Sequence, residues 1–123
     1  YGVIVAQDVL EHVKDPIHDA YQIAKAVRVG GKVIFANCFS PVIKCHLPRT
    51  FHLRRTFPWV MQFMGLGFLG RVDGAMHAQI FERNRPISFA KAQRAERLSR
   101  LIGPMLNSIP TFLSRIKGLA LRR

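Results

Sequence analysis

Val3-Ile4-Val5-Ala6 and Val33-Ile34-Phe35-Ala36 are runs of four apolar residues with no polar alternation. Such runs suit strands buried on both faces, as in a parallel sheet. They predict strands over 3–6 and 32–37. Between them Asp15-Pro16 marks a helix start, with Asp as the cap and Pro in the first helical position. Ile17, Ala20, Tyr21, Ala24 and Val27 then recur at threes and fours, which gives one apolar helical face. Arg28 falls in the expected last turn and Gly30 is the expected C-terminal cap. Strand, helix and strand make a βαβ unit, and ligands of open α/β sheets bind beyond the carboxyl ends of the strands. Those ends are Gln7-Asp8 and Asn37-Cys38.

After this unit the pattern changes. Pro41, Pro48 and Pro58 punctuate an irregular basic segment over 38–56. A short helix is expected over 57–64, ended by Gly65-Leu66-Gly67. Strands are expected over 68–72 and 77–83, with Asp73-Gly74 as a hairpin turn. Ser88 caps a helix that carries Ala95, Leu98, Ile102 and Met105 on one face, and Gly103-Pro104 should break it. Pro110 starts a last amphipathic piece with Phe112, Leu113, Ile116 and Ala120 on one side. No internal repeat or low-complexity tract is visible. The expected division is 1–84 for an α/β unit and 85–123 for a basic helical extension.

Composition narrows this picture. The chain has 123 residues, enough for one domain, and at 49% hydrophobic it falls outside the low-hydrophobicity disordered class. Its first residue is Tyr, two positions before the first strand, so it is expected to be a piece of a longer protein. The net charge of +12 lies wholly after residue 40, because residues 1–40 hold equal numbers of acidic and basic side chains. A basic half of this kind serves nucleic acid, anionic lipid, an acidic partner or simply solvation. Two cysteines make no disulfide framework, which points to a cytoplasmic location. The uncharged stretch 56–70 is shorter than the roughly 20 apolar residues of a membrane span.

The segment Asp8-Val9-Leu10-Glu11-His12-Val13, then Asp15-Pro16, then Arg28-Val29-Gly30-Gly31, each in its place on strand, helix and turn, carries a resemblance. Over residues 1–84 the chain resembles the C-terminal half of class I S-adenosylmethionine-dependent methyltransferases. It is most similar to the small-molecule, type 11 branch that includes the ubiquinone-pathway O-methyltransferases. The resemblance implies a partial Rossmann-like sheet. The strand at 3–6 would be the fourth, that at 32–37 the fifth, and the hairpin the last two, with the final strand antiparallel. The glycine-rich loop and the acidic residue that grip the cofactor would lie before Tyr1, in a missing N-terminal half.

The resemblance also implies a site. Gln7, Asp8 and Val9 would line the S-adenosylmethionine pocket, largely through backbone atoms; the simpler reading makes Asp8 a turn cap. Asp8, Glu11 and His12 are spaced as one face of a helical turn. They are candidates for a divalent cation, similar to magnesium ligands of coenzyme Q O-methyltransferases, or for ordinary acids at a helix start. His12 is the candidate base for an oxygen nucleophile on a small-molecule methyl acceptor. His46, Arg49 and His52, with Arg54 and Arg55 beside them, would meet an acidic substrate. Cysteine and histidine spacing there does not fit structural zinc, and His77 reads as a structural histidine. Trp59, Met61, Phe63 and Met64 either line an apolar pocket or pack on the sheet.

The competing function is a non-catalytic interaction module whose basic amphipathic tail binds an anionic membrane or nucleic acid. The tail lacks interleaved aromatics, which argues against single-stranded nucleic acid. A nicotinamide-binding fold leaves Asp8-Val9-Leu10-Glu11-His12 without a role.

Overall fold

The computed structural model describes residues 1–39, 47–75 and 77–121, with side chains at all of these except Arg49 and 107–121. Four strands form one mixed sheet in the order β1-β2-β4-β3. β1 is Val3–Gln7 and β2 is Lys32–Ala36, paired in parallel from Val3 opposite Lys32 to Gln7 opposite Ala36. Helix α1, Pro16–Ala26, joins them, and this is the expected βαβ unit.

The start of α1 follows the local sequence. Asp15 Oδ1 accepts the His18 N–H at 3.0 Å, with Pro16 in the first turn. Its end does not. The helix stops at Ala26, and Val27 is already extended, so Arg28 lies beyond the last turn and Gly30 is not its cap. Beside the Val27 N–H, which donates to the Ala24 carbonyl at 3.3 Å, a capping donor comes from Arg83 on β4, whose Nη1 donates to the carbonyls of Lys25 at 3.2 Å and Val27 at 2.7 Å. A guanidinium from a distant strand satisfies carbonyls that a helix end leaves open.

β3 (Leu66–Arg71) and β4 (Ala78–Arg83) form the expected antiparallel hairpin around Asp73-Gly74. β4 is also antiparallel to β2, so it lies between β2 and β3. A register shift between Phe68 and Gly70 bends β3.

α2 spans Leu53–Met64, beginning before the expected 57 and holding Pro58 inside the helix. The expected helix begins at Phe57, but Leu53 and Thr56 are buried together with Phe57 and Val60 and belong to the same helix. That packing outweighs the one hydrogen bond a helical proline removes. Gly65 ends the helix at φ 121°, and a Cβ there would stand 2.6 Å from the Pro86 carbonyl oxygen.

α3 runs without interruption over Phe89–Leu121, so Gly103-Pro104 does not break it. Ser88 Oγ accepts the Lys91 N–H at 3.3 Å, the expected start. Gly103 faces the backbone of His52 so closely that a Cβ would stand 3.0 Å from the His52 Cα. The glycine is therefore a contact point between helices, and the exposed Pro104 costs one backbone bond on the solvent side. The first part of the 85–123 segment is integral to the core, because Ala92, Ala95 and Ser99 are buried.

Ala6, Val33, Phe35 and Phe81 share one sheet face by register and join a single buried cluster with residues of α1, α2 and α3. Phe57 of α2 meets Phe35 edge-on at 5.3 Å between ring centroids. The opposite face differs from the expectation of two-sided burial. Val3 and Val5 there are 58% and 59% exposed, because no element among the described residues covers them.

Candidate functional site

The carboxyl ends of β1 and β2 are tied together by one side chain. Asp8 leaves β1 with φ 54°, a left-handed turn, and its N–H donates to the Ala36 carbonyl at 2.8 Å. Asn37 follows β2, and its Oδ1 accepts the N–H of Leu10 at 3.1 Å and of Val9 at 3.4 Å. The path of residues 7–10 is thus set by hydrogen bonds from the neighbouring strand. Gln7, Asp8 and Val9 are exposed at this tip.

Leu10–His12 forms a 3₁₀ turn. Glu11 is only 1% exposed; its Oε1 accepts the Cys38 N–H at 3.4 Å, and its own carbonyl accepts the Leu47 N–H at 2.9 Å. Glu11 Oε2 is buried without a hydrogen-bond partner among the described residues. Asp8 and His12 are exposed, while Glu11 turns inward, so the three do not share a face. Their spacing presumed an α-helical turn, but the left-handed Asp8 lies outside the 3₁₀ turn and shifts the phase. Among the described residues no group of three or more His, Cys, Asp or Glu is placed to hold a metal ion.

Of the proposed acid-binding residues, His46 lies outside the described residues. Arg49 sits in the 3₁₀ turn Pro48–Thr50, its side chain undescribed. His52 precedes α2 and is buried at 8% exposure. A carboxylate only accepts, so His52 Nε2 donates to Glu96 Oε1, at 3.2 Å, and Arg100 Nε donates to the same oxygen at 2.9 Å. Burial pushes the Glu96 carboxyl up, but the hydrogen bonds and charges of His52 and Arg100 outweigh it and hold the group below its ordinary value. The His52 carbonyl accepts from Thr56 Oγ1 at 2.8 Å and from Ser99 Oγ at 3.3 Å, and the two hydroxyls bond each other. His52 is thus chiefly a joint between α2 and α3.

A cleft of about 940 Å³ opens beside this joint, walled by Lys14 and Asp15 before α1, by Phe51, and by Gln93 and Arg97 of α3. Nothing in the sequence pattern marks it, since its walls are far apart along the chain. The apolar stretch divides between core and surface. Met61 and Met64 are fully buried, whereas Trp59 and Phe63, 4.9 Å apart between centroids, border a groove of about 680 Å³ against Leu98. Asn37 was legible only as a polar residue ending an apolar strand, with no sign of what it holds.

No family model, curated protein or solved structure matches this chain. Among the described residues, no helix is long and apolar enough to cross a membrane.

Proposed function

We propose that this chain forms one wall of the cofactor pocket of an S-adenosylmethionine-dependent methyltransferase acting on a small molecule. The observation that carries the reading is the tip beyond β1. Its backbone is held by Ala36 and Asn37, and Gln7, Asp8 and Val9 stand exposed on it. Such a preset edge at the carboxyl end of a parallel pair suits ligand binding. The mixed sheet with an antiparallel strand between β2 and β3 is compatible with a partial Rossmann-like fold.

Gln7, Asp8 and Val9 fit the role of a wall, since three exposed residues on a fixed backbone offer carbonyls and side-chain surface to a nucleoside. A sulfonium cofactor would supply an activated methyl group. The protein's tasks are then positioning the acceptor and, for an oxygen nucleophile, taking its proton. The exposed His12 is the group for that proton. The glycine-rich loop of this reading lies outside the 123 residues, which contain no such loop after a buried strand.

Titration calorimetry of S-adenosylhomocysteine tests this on the chain and on a version extended at the N-terminus. Binding by the extended protein, reduced by Asp8→Pro, supports the reading. Binding by neither overturns it.

One observation favours a second reading, a non-catalytic module. Leu98, Leu101 and Met105 of α3 are 46%, 74% and 69% exposed, flanked by Arg97 and Arg100. Cosedimentation with anionic vesicles, lost in Leu101→Glu, is its expected result, and no retention on vesicles or duplex DNA removes it.

A further inference from the structure

A second feature lies at the same end of the sheet, on the far side of Asn37. The register sets Ala36 opposite Ala78 and Arg71 opposite Gln79, so the end of β2, the end of β3 and the start of β4 converge there. Asn37, Arg54, Arg71, His77 and Gln79 line a small cavity of about 60 Å³, against the rings of Phe39 and Phe57. That is the volume of about two waters, the scale of a single carboxylate or phosphate head.

The Asn37 side chain points to what fits. It is 9% exposed, and its Oδ1 is committed to the amides of Val9 and Leu10. Those two donors fix which end of the amide is oxygen. Its Nδ2, a donor, is buried with no acceptor among the described residues. A buried donor without an acceptor is a standing cost that an oxygen in the cavity would remove.

The charges agree. No ion pair among the described residues engages Arg54, Arg71 or His77. None of the acids nearby in sequence or fold is part of the cavity wall: Glu11 takes the Cys38 N–H, Asp8 stands exposed on the tip beyond β1, and Asp73 is exposed on the hairpin turn. His77 is held at φ 63°, and it is exposed rather than the structural histidine its sequence suggested. Two guanidinium groups from separate elements, with an amide donor behind them, match the in-plane lone pairs of an oxyanion.

We propose that this notch is an oxyanion site that takes the terminal carboxylate or phosphate of a small molecule. Arg54 and Arg71 clasp its oxygens from α2 and from the end of β3. Asn37 Nδ2 donates to the oxygen seated deepest, and the His77 imidazole closes the outer side. Asn37 then serves two ligand-facing duties: its oxygen shapes the tip beyond β1 and its nitrogen binds the anion. The site needs no methyl donor, so it stands whether or not the chain binds S-adenosylhomocysteine.

The test is nuclear magnetic resonance of the 15N-labelled chain, titrated separately with inorganic phosphate and with benzoate against chloride at equal ionic strength. Saturable shifts of the Asn37 side-chain NH2 and of the amides of 77–79 are expected with at least one probe. Saturation by phosphate alone assigns a phosphate ester, and saturation by benzoate alone assigns a carboxylate. Arg71→Gln and Arg54→Gln should each weaken binding by about tenfold, the loss of a charge-assisted pair. The exposed Arg94→Gln, outside the cavity wall, should leave it unchanged. Both arginines of the site are exposed, so these variants should keep the wild-type fold, which the spectra themselves report. No saturable shift with either probe, or equal weakening by Arg94→Gln, overturns the site.

Discussion

Asn37 and Leu10 meet across the ends of two parallel strands, side-chain oxygen to backbone amide, at 3.1 Å. Leu10 is fully buried, so its N–H has no access to water in exchange. Asn37→Ala should therefore destabilise the chain by about 1–3 kcal/mol, the cost of an orphaned buried donor. Urea unfolding measures it. A change within experimental error would mean that the turn holds itself.

Arg83 ends α1 from a distant strand, with its Nη1 shared among the Ala24, Lys25 and Val27 carbonyls. Arg83→Met keeps most of the packing and removes the donors. The expected loss is about 1.5–3 kcal/mol, typical of hydrogen bonds from a charged group. Amide exchange should quicken in the last turn of α1 before it does in β1.

Gly103 and Pro104 are neighbours with opposite expected effects. Alanine in a helix interior is normally favoured over glycine by about 1 kcal/mol. At Gly103 the added methyl meets the His52 backbone, so Gly103→Ala should lower the melting temperature despite that preference. Pro104 is exposed within a continuous helix, and Pro104→Ala should raise stability by up to about 3 kcal/mol. Equal signs for the two variants would contradict the path of α3.

Glu96 makes stability depend on acid. Its carboxyl is held below the ordinary value in the folded state, so its contribution is present above the ordinary glutamate range, about 4.3, and is lost as pH falls through the folded value. Thermal melts of the native chain should fall more steeply below that range than those of Glu96→Gln. The variant should also be the less stable of the two at neutral pH, where the acceptor shared by His52 and Arg100 loses its negative charge.

Local signals carried much of this fold. Asp15-Pro16 starts a helix through its own side chain, Asp73-Gly74 turns a hairpin, and Ser88 accepts an amide three residues on. Each acts within a few residues, so periodicity and capping rules reach it. What was hidden depends on partners distant in the chain. Gly103 looks like a breaker until His52 is placed against it, and Glu11 looks like a surface acid until Cys38 and Leu47 fold over it. The candidate site divides the same way. The tip at residues 7–9 is visible from the apolar run before it, and Arg54 stands out in a basic segment, whereas its meeting with Arg71 and His77 depends on where α2 and the β3–β4 hairpin come together.

That pairing also sets an order of events during synthesis. β4 is the last strand in the chain among the described residues, yet it fills the gap between two earlier ones. β3 therefore has no place to dock when it leaves the ribosome, and β1 with β2 can form only an unfinished ladder. The hairpin, being local, is the pairing with the smallest loop to close, and it can then join β2 as a unit. Until Arg83 has emerged, the sheet cannot close and the Lys25 and Val27 carbonyls at the end of α1 lack their guanidinium donor.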